Sequence, residues 1–135
     1  MEEITIKKIR PPMERNVERD IEWFCECFDI IRERDKDKSG FKIFKILLES
    51  AKEGEGLSIN EITEEVELSR TAVVHHLRFM EESGIVVEKD RSYELRVIGL
   101  SMIVDEIERD IERSFEKIRK IAKDIDEDLG ISFRE

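Results

Sequence analysis

Two arginines and two histidines stand close together in residues 69–80, a stretch of twelve residues without a carboxylate. Arginine can pair with the O6 and N7 acceptors of guanine or with a backbone phosphate. Ser69 and Arg70 precede an apolar helical pattern, and the positive end of a helix is where phosphates bind. Because the whole chain has a formal net charge of −10, this acid-free stretch predicts a local surface for an anionic partner, double-stranded DNA.

Helical geometry divides the same stretch into two faces. At about 100° per residue, Val73, Leu77 and Met80 fall within one sector and are expected to face a core. The remaining side chains point outward or flank that outward face. The predicted DNA-binding residues of this helix are Ser69, Arg70, Thr71, Val74, His75 and Arg78.

A second basic pair, Lys89 and Arg91, lies in a short polar segment after the helix. Such residues can clamp a DNA backbone or enter a minor groove, so we predict both as DNA contacts. Glu88, Asp90 and Glu94 offset their charge. A solvated hairpin tip is therefore the alternative interpretation.

Local signals predict the helices that position these side chains. Apolar spacing predicts helices over residues 40–52, 59–66 and 69–84. Ser58 begins a capping-box sequence before the second of these helices. Ser69 is placed to cap the third, which we expect to contact DNA.

Two short strands are predicted after these helices, at residues 86–88 and 93–95, joined by a loop at 89–92. The order helix, helix, short turn, helix, hairpin is that of a winged helix-turn-helix domain, which we assign to residues 40–98. The fold class is therefore mainly α with a small β-hairpin wing, with a helix added at each end.

Residues 1–39 are predicted to form an N-terminal arm and an accessory helix. The arm is interrupted by a Pro-Pro pair at 11 and 12, and we expect it to be mobile or packed on a partner. The accessory helix is predicted over residues 14–34. It carries an aromatic stripe expected to cover the winged domain or a dimer interface, formed by Trp23, Phe24 and Phe28.

Residues 99–135 are predicted to form a long helix with a nearly heptad apolar seam. After so small a winged domain, too little core remains to bury this seam within one chain. We therefore predict a homodimer whose interface is formed by Ile103, Ile107, Ile111, Phe115, Ile118, Ala122, Ile125 and Leu129.

The sequence LSRTAVVHHL, from Leu68, followed by ESGIV, from Glu82, resembles the recognition-helix pattern of the ArsR-like (arsenic-repressor-like) family of winged helix-turn-helix transcriptional regulators. The resemblance covers about residues 40–100. It implies that the helix after Ser69 reads the major groove, that the strand with Tyr93 returns from the wing, and that flanking helices form the dimer. Val74 departs from the family, in which a serine is common at this position.

Metal and catalytic sites are weakly indicated. Cys25 and Cys27 resemble the Cys-x-Cys pairs of metalloid sensors among ArsR-like proteins, but residues two apart diverge on a helix and there is no third cysteine. His75 and His76 likewise face different directions. Neither a phosphate loop nor a nucleophile with an evident base is present. We expect no metal site, no cofactor and no enzymatic activity, and the alternative of a sensed ligand or metal effector stays open, since the sequence names none.

Composition bounds the remaining alternatives. Charged residues make up 43% of the chain, glutamine is absent, and asparagine occurs only at positions 16 and 60, a composition typical of thermophiles. Two cysteines and no apolar run of membrane-spanning length predict a cytoplasmic protein that does not enter the membrane. The acidic balance opposes DNA binding. It favours the alternative function, a winged-helix protein-protein interaction module of the transcription machinery.

Overall fold

The computed structural model describes residues 3–32 and 37–131. Within these ranges the predicted fold class is confirmed, since four helices precede a two-stranded antiparallel hairpin and one long helix follows it. The chain divides into two compact units, residues 1–98 and 99–135. The elements are α1 (Val17–Cys27), α2 (Ser39–Lys52), α3 (Ile59–Val66), α4 (Arg70–Glu82), β1 (Val86–Lys89), β2 (Ser92–Leu95) and α5 (Leu100–Asp128).

The two helices of the helix-turn-helix begin at side-chain caps. The Ser58 hydroxyl accepts from the Glu61 amide at 3.1 Å, and the Glu61 carboxylate accepts from the Ser58 amide at 3.2 Å. The Ser69 hydroxyl accepts from the Ala72 amide at 3.1 Å. These bonds satisfy amides that have no partner within the helix, so the starts of α3 and α4 agree with the prediction.

Gly84 ends α4 in the left-handed conformation, with φ of 80°. Its amide donates to the Glu81 carbonyl at 3.0 Å, and the Ile85 amide donates to the Met80 carbonyl at 3.0 Å. This pair of hydrogen bonds is a Schellman motif. It directs the chain from α4 straight into β1.

The core of the first unit lies between these elements. Phe44 and Leu47 of α2, Ile62 of α3 and Leu77 of α4 are almost completely buried. Phe24 of α1 stacks on Phe44, with ring centroids 5.7 Å apart. The accessory helix therefore covers the winged domain, one of the two positions expected for its aromatic stripe.

The hairpin is closed by a two-residue turn. Asp90 and Arg91 have φ of 50° and 66°, the paired positive values of the turn that suits a twisted hairpin. Lys89 pairs with Ser92, so the predicted four-residue loop at 89–92 is wrong. Only its two central residues are unpaired, because their left-handed conformations reverse the chain within the turn.

Leu57 adds a third extended segment beside the hairpin. Its amide donates to the Tyr93 carbonyl at 2.9 Å, and the Tyr93 amide donates to the Leu57 carbonyl at 2.7 Å. This bridge fixes the wing to the turn between α2 and α3. The hairpin therefore has one covered edge within the same unit.

The accessory helix α1 is shorter than predicted, because it ends at Cys27 rather than near the end of residues 14–34. Asp29 takes the left-handed conformation, with φ of 61°, and the Ile30 amide donates back to the Cys25 carbonyl at 2.7 Å. Aspartate tolerates this conformation better than most residues and can end a helix as glycine does. The last two residues of the predicted range lie outside the described residues.

The N-terminal arm is hydrogen-bonded to α1 of its own chain. The Lys7 amide donates to the Cys27 carbonyl at 2.8 Å. The indole of Trp23 donates to the Ile9 carbonyl at 3.1 Å. These long-range hydrogen bonds fix the position of the arm beside α1.

The second unit consists mainly of α5, a helix of 29 residues. At a rise of about 1.5 Å per residue it is about 43 Å long. Charged residues occupy most of the circumference of α5. The helix begins directly after Gly99, which has φ of 96°. No helix in the described part of the chain is long and apolar enough to cross a membrane.

Candidate nucleic-acid interface

The helix α4 has one buried and one exposed face. Val73, Leu77 and Met80 are at most 1% exposed, as the spacing predicts. The outward face carries the side chains predicted to contact DNA. Ser69, Arg70, Thr71, His75 and Arg78 are exposed, and Val74 is partly buried.

Five of these side chains border a shallow open groove of about 390 Å³ on the surface of α4, namely Arg70, Thr71, Val74, His75 and Arg78. The groove contains two cationic groups and no carboxylate. A hydroxyl, an imidazole and a valine side chain lie between the two arginines along the helix. This combination can pair with phosphates and base edges and can contact a thymine methyl group.

Arg70 is held at the N-terminal end of this face by a residue that the sequence did not point to. Its guanidinium Nη1 donates to the Asn60 side-chain oxygen of α3 at 2.7 Å. The hydrogen bond crosses the helix-turn-helix and orients one donor edge of the arginine. Asn60 lies in the first turn of a predicted helix, so only the crossing of α3 and α4 reveals this contact.

Arg78 lies two turns further along α4 and has more freedom. Among residues 3–32 and 37–131 no hydrogen bond or ion pair holds its guanidinium. Its positive charge opposes the rise in the pKa of Glu81, which is caused mainly by burial and then by Glu88. The arginine is therefore available to a ligand but lies near the acidic base of the wing.

Tyr93 marks that acidic base of the wing. It is buried on β2 and pairs across the hairpin with Glu88. The Glu88 carboxylate, as a hydrogen-bond acceptor, favours the protonated hydroxyl, and together with burial it raises the pKa of Tyr93 to about 12. Tyr93 is thus a structural residue of the wing with its hydroxyl protonated over the ordinary pH range.

The two basic residues predicted at the wing tip differ in their surroundings. Lys89 Nζ lies 3.0 Å from Glu94 Oε1, so much of its charge is already neutralised. Arg91 occupies the turn itself and is exposed. Of the two, Arg91 is the better placed to meet a phosphate.

The histidine pair serves two different environments. His75 is exposed on the groove, whereas His76 is partly buried near Gly40, where an added Cβ would lie 3.3 Å from His76 Nδ1. Their rings are 5.7 Å apart at an interplanar angle of 70°. His75 is therefore the histidine that the fold places in the groove of α4.

The cysteine pair offers no preformed soft-metal site. Cys25 is buried and Cys27 is partly buried. Burial, reinforced by nearby glutamates, raises the pKa of both thiols, which disfavours the thiolates that bind metals. The described residues contain no group of three or more histidine, cysteine, aspartate or glutamate side chains arranged to hold a metal ion.

A second, larger cleft of about 680 Å³ lies on the other side of His75 and Arg78, between α4, the arm and the segment after α1. Sequence reasoning did not anticipate it. Arg32 reaches into this region, with its guanidinium carbon 4.2 Å from the centroid of the Phe79 ring of α4. The cleft therefore brings a basic side chain from outside the helix-turn-helix to the helix expected to contact DNA.

The residues predicted for dimerisation fall into two groups along α5. Ile103 and Ile107 are buried, and Ile111 is partly buried. The later positions are exposed, among them Phe115 (55%), Ile118 (62%), Ala122, Ile125 (51%) and Leu129 (69%). These exposed apolar side chains form a stripe on α5. Ile121, which is not among the residues predicted from the heptad spacing, is also 57% exposed and borders this stripe.

Residues 41–88 match the family model described as bacterial regulatory protein, arsR family. The matched segment runs from α2 through the helix-turn-helix into β1, so it contains the whole exposed face of α4. The resemblance seen in the sequence is confirmed over these residues. No curated protein and no solved structure matches the chain.

Proposed function

We propose that this chain, a DNA-binding regulator with an ArsR-family helix-turn-helix at residues 41–88, recognises specific DNA sequences as a homodimer in the cytoplasm. The observation that carries the proposal is the exposed face of α4, where two arginines border one carboxylate-free groove. In a chain with a net charge of −10, the surface suited to an anionic polymer is concentrated on this helix.

The residues of the face have separate tasks in this proposal. Ser69 and Arg70 lie at the N-terminal end of α4, where exposed amides and the guanidinium can meet a phosphate. Thr71, Val74 and His75 face the floor of the major groove. Arg78 pairs with guanine acceptors or with a phosphate further along the strand.

The stripe on α5 supports the homodimer. Large apolar side chains on a charged helix are stabilised when a second apolar surface covers them, and their spacing of three and four residues suits helix pairing. In a symmetric dimer the two copies of α4 would meet two half-sites about one helical turn of DNA apart. Arg91 of each wing would contact the flanking backbone.

Selection of binding duplexes from a randomised DNA pool tests the proposal. The wild-type chain should enrich a pseudo-palindromic sequence. Arg78→Ala should weaken binding to the selected duplex by about 1–3 kcal/mol and relax specificity at one position of each half-site. The matched control is Arg15→Ala, which removes an exposed arginine whose partner is Asp20, 2.8 Å away.

Two results would contradict sequence-specific DNA binding: absence of enrichment, or absence of duplex affinity at low salt for the folded wild-type chain. The second result would favour the alternative of a protein-protein interaction module, to which the acidic balance of the chain is suited. The Arg15→Ala variant should retain the specificity of the wild-type chain, since Arg15 borders neither the groove nor the larger cleft beside α4.

A further inference from the structure

Arg32 is an arginine that the helix-turn-helix does not supply but that the fold brings to it. It follows α1, and its guanidinium lies over the Phe79 ring at 4.2 Å. A cation over an aromatic face is attracted by the ring quadrupole, and the ring also restricts the positions of a long side chain. The side chain nevertheless remains 47% exposed, so its outer edge can still meet a ligand.

One aspartate holds Arg32 together with a lysine of the arm. Asp29 Oδ2 lies 3.3 Å from Arg32 Nε, and Asp29 Oδ1 lies 2.7 Å from Lys7 Nζ. Two cations share one carboxylate, so this cluster keeps a surplus positive charge. The Asp29 side chain is only 17% exposed, whereas that of Lys7 is 42% exposed, so the cations form the outer part of the cluster.

The cluster borders the face that contains the arginines of α4. His75 and Arg78 border both the groove with Arg70 and the larger cleft with Arg32. The groove and the cleft therefore share an edge formed by α4 itself. A duplex seated on the groove would have its sugar-phosphate backbone next to that edge.

We propose that Arg32 is a DNA-backbone contact, so that the accessory N-terminal segment enlarges the DNA interface of the helix-turn-helix. This inference rests on the proposed function. Glu3 and Glu82 also border the cleft, which balances its formal charges, so Arg32 and not the cleft as a whole is the contact. The contact is to phosphate, because the ring and Asp29 hold Arg32 at the margin of α4 and away from its reading face.

The salt dependence of DNA affinity tests this contact. Each phosphate neutralised by a protein contributes about 0.9 to the slope of log affinity against log salt. Arg32→Ala should therefore reduce the magnitude of this slope by about 1. It should also weaken binding to selected and unrelated duplexes alike. Between 50 and 200 mM salt, the deficit of the variant relative to wild type should shrink about threefold, as expected for one lost contact.

Two further variants identify the origin of the effect. Arg15→Ala removes an arginine that is also paired with an aspartate and should leave the slope unchanged. Phe79→Leu keeps an apolar side chain but removes the ring, and it should weaken binding less than Arg32→Ala does. When Arg32 is already alanine, Phe79→Leu should have little additional effect, because the two residues act through one contact.

Separate results contradict this inference and the proposed function. If the wild-type chain binds duplex DNA but Arg32→Ala leaves both affinity and slope unchanged, Arg32 is not a contact, whereas DNA binding stands. A change in sequence preference without a change in slope would also overturn the assignment to phosphate. If the folded wild-type chain binds no duplex, DNA binding itself fails. Circular dichroism and thermal melting of each variant establish that its fold is retained.

Discussion

Arg70 and Arg78 lie on the same exposed face but differ in the conformational freedom of their side chains before a ligand binds. Arg70 already donates to Asn60 at 2.7 Å, so part of its side-chain entropy is lost before any ligand binds. Arg78 has no such partner among the described residues and must be ordered on binding. A preorganised arginine binds at a lower entropic cost, so Arg70 should lose less side-chain entropy on binding than Arg78.

Gly40 tests how tightly α2 packs against the segment after α1. An added Cβ would lie 2.4 Å from the Ile30 carbonyl oxygen, far inside van der Waals contact. Gly40→Ala should therefore destabilise the protein by about 1–3 kcal/mol, as overpacking does. Urea unfolding at fixed protein concentration measures the difference in the free energy of unfolding.

The sign of this effect separates packing from helix propensity. Alanine in a helix is more stable than glycine by about 0.5–1 kcal/mol, so an open site would give a stabilised variant. Lys42→Ala in the same helix is the control, because Lys42 is exposed, and it should change stability by less than about 0.5 kcal/mol. A stabilised Gly40→Ala would show that α2 does not approach Ile30 this closely.

The two cysteines should differ in reactivity towards a thiol reagent. Cys25 is fully buried and burial raises its pKa, whereas Cys27 is partly buried with a pKa raised mainly by the same cause. Because only the thiolate reacts, and a raised pKa moves its formation to higher pH, labelling at pH 8 should be slow. In the native protein it should be confined to Cys27, with a rate that rises as the solution is made more alkaline.

Mass spectrometry after iodoacetamide treatment measures this difference. The wild-type chain should take up one label when native and two in denaturant. Cys27→Ser should take up none when native and one when unfolded. Rapid native labelling of Cys25 would contradict the burial of its thiol within the first unit.

The helix boundaries of the helix-turn-helix are determined by residues that lie close to them in the sequence. Ser58, Ser69 and Gly84 each act within a few residues of their own position, so the sequence predicts where α3 and α4 begin and where α4 ends. The buried and exposed faces of α4 follow from its 3.6-residue period. These features of the candidate interface could therefore be predicted from the sequence.

Removal of the two serine caps should separate stability from binding. Ser58→Ala and Ser69→Ala each lose a hydrogen bond to a backbone amide, and each should lower the free energy of unfolding by about 1 kcal/mol. Of the two, only Ser69 directly precedes Arg70, which borders the groove of α4. Ser69→Ala should therefore also weaken DNA binding, whereas Ser58→Ala should bind almost as wild type does.

Parallel denaturation and duplex-binding measurements on the two variants check this expectation. Equal losses of affinity would mean that binding follows overall stability and that Ser69 has no part in the interface. Unchanged stability in both variants would instead contradict the role of the two hydroxyls as caps.

Contacts between distant segments could not be predicted in the same way. The end of α1 depends on a left-handed Asp29, which a pattern of apolar residues does not reveal. The position of Arg32 over Phe79 joins residues far apart in the sequence, and the hydrogen bond between Trp23 and Ile9 fixes the arm through the fold alone. The apolar period and the caps carry no information about such pairs, because tertiary packing selects them.

The net negative charge of the chain and the basic face of α4 act on DNA at different distances. A net charge of −10 repels duplex DNA at a distance, and salt screens that repulsion beyond about 10 Å. The arginines of α4 attract phosphates only at close range. Binding should therefore depend on correct seating of the face on DNA, with weak affinity for unrelated sequences.

Charged substitutions in the exposed stripe of α5 should change the oligomeric state. Ile118→Asp combined with Ile125→Asp introduces two carboxylates where side chains 62% and 51% exposed are proposed to meet a second chain. Burying unpaired charges in an apolar interface is strongly unfavourable. Sedimentation equilibrium should show a dimer for wild type and a single chain of 16.0 kDa for the double variant.

Lys120→Ala combined with Lys123→Ala is the matched control, because it also changes the net charge by −2. At about 100° per residue, both lysines lie on the side of α5 opposite the stripe, so this variant should stay dimeric. Loss of the dimer should reduce affinity for a duplex with two half-sites far more than for one half-site, since the second α4 then binds independently. A wild-type chain that sediments as a monomer at micromolar concentration would contradict the homodimer, and DNA binding would then depend on a single copy of α4.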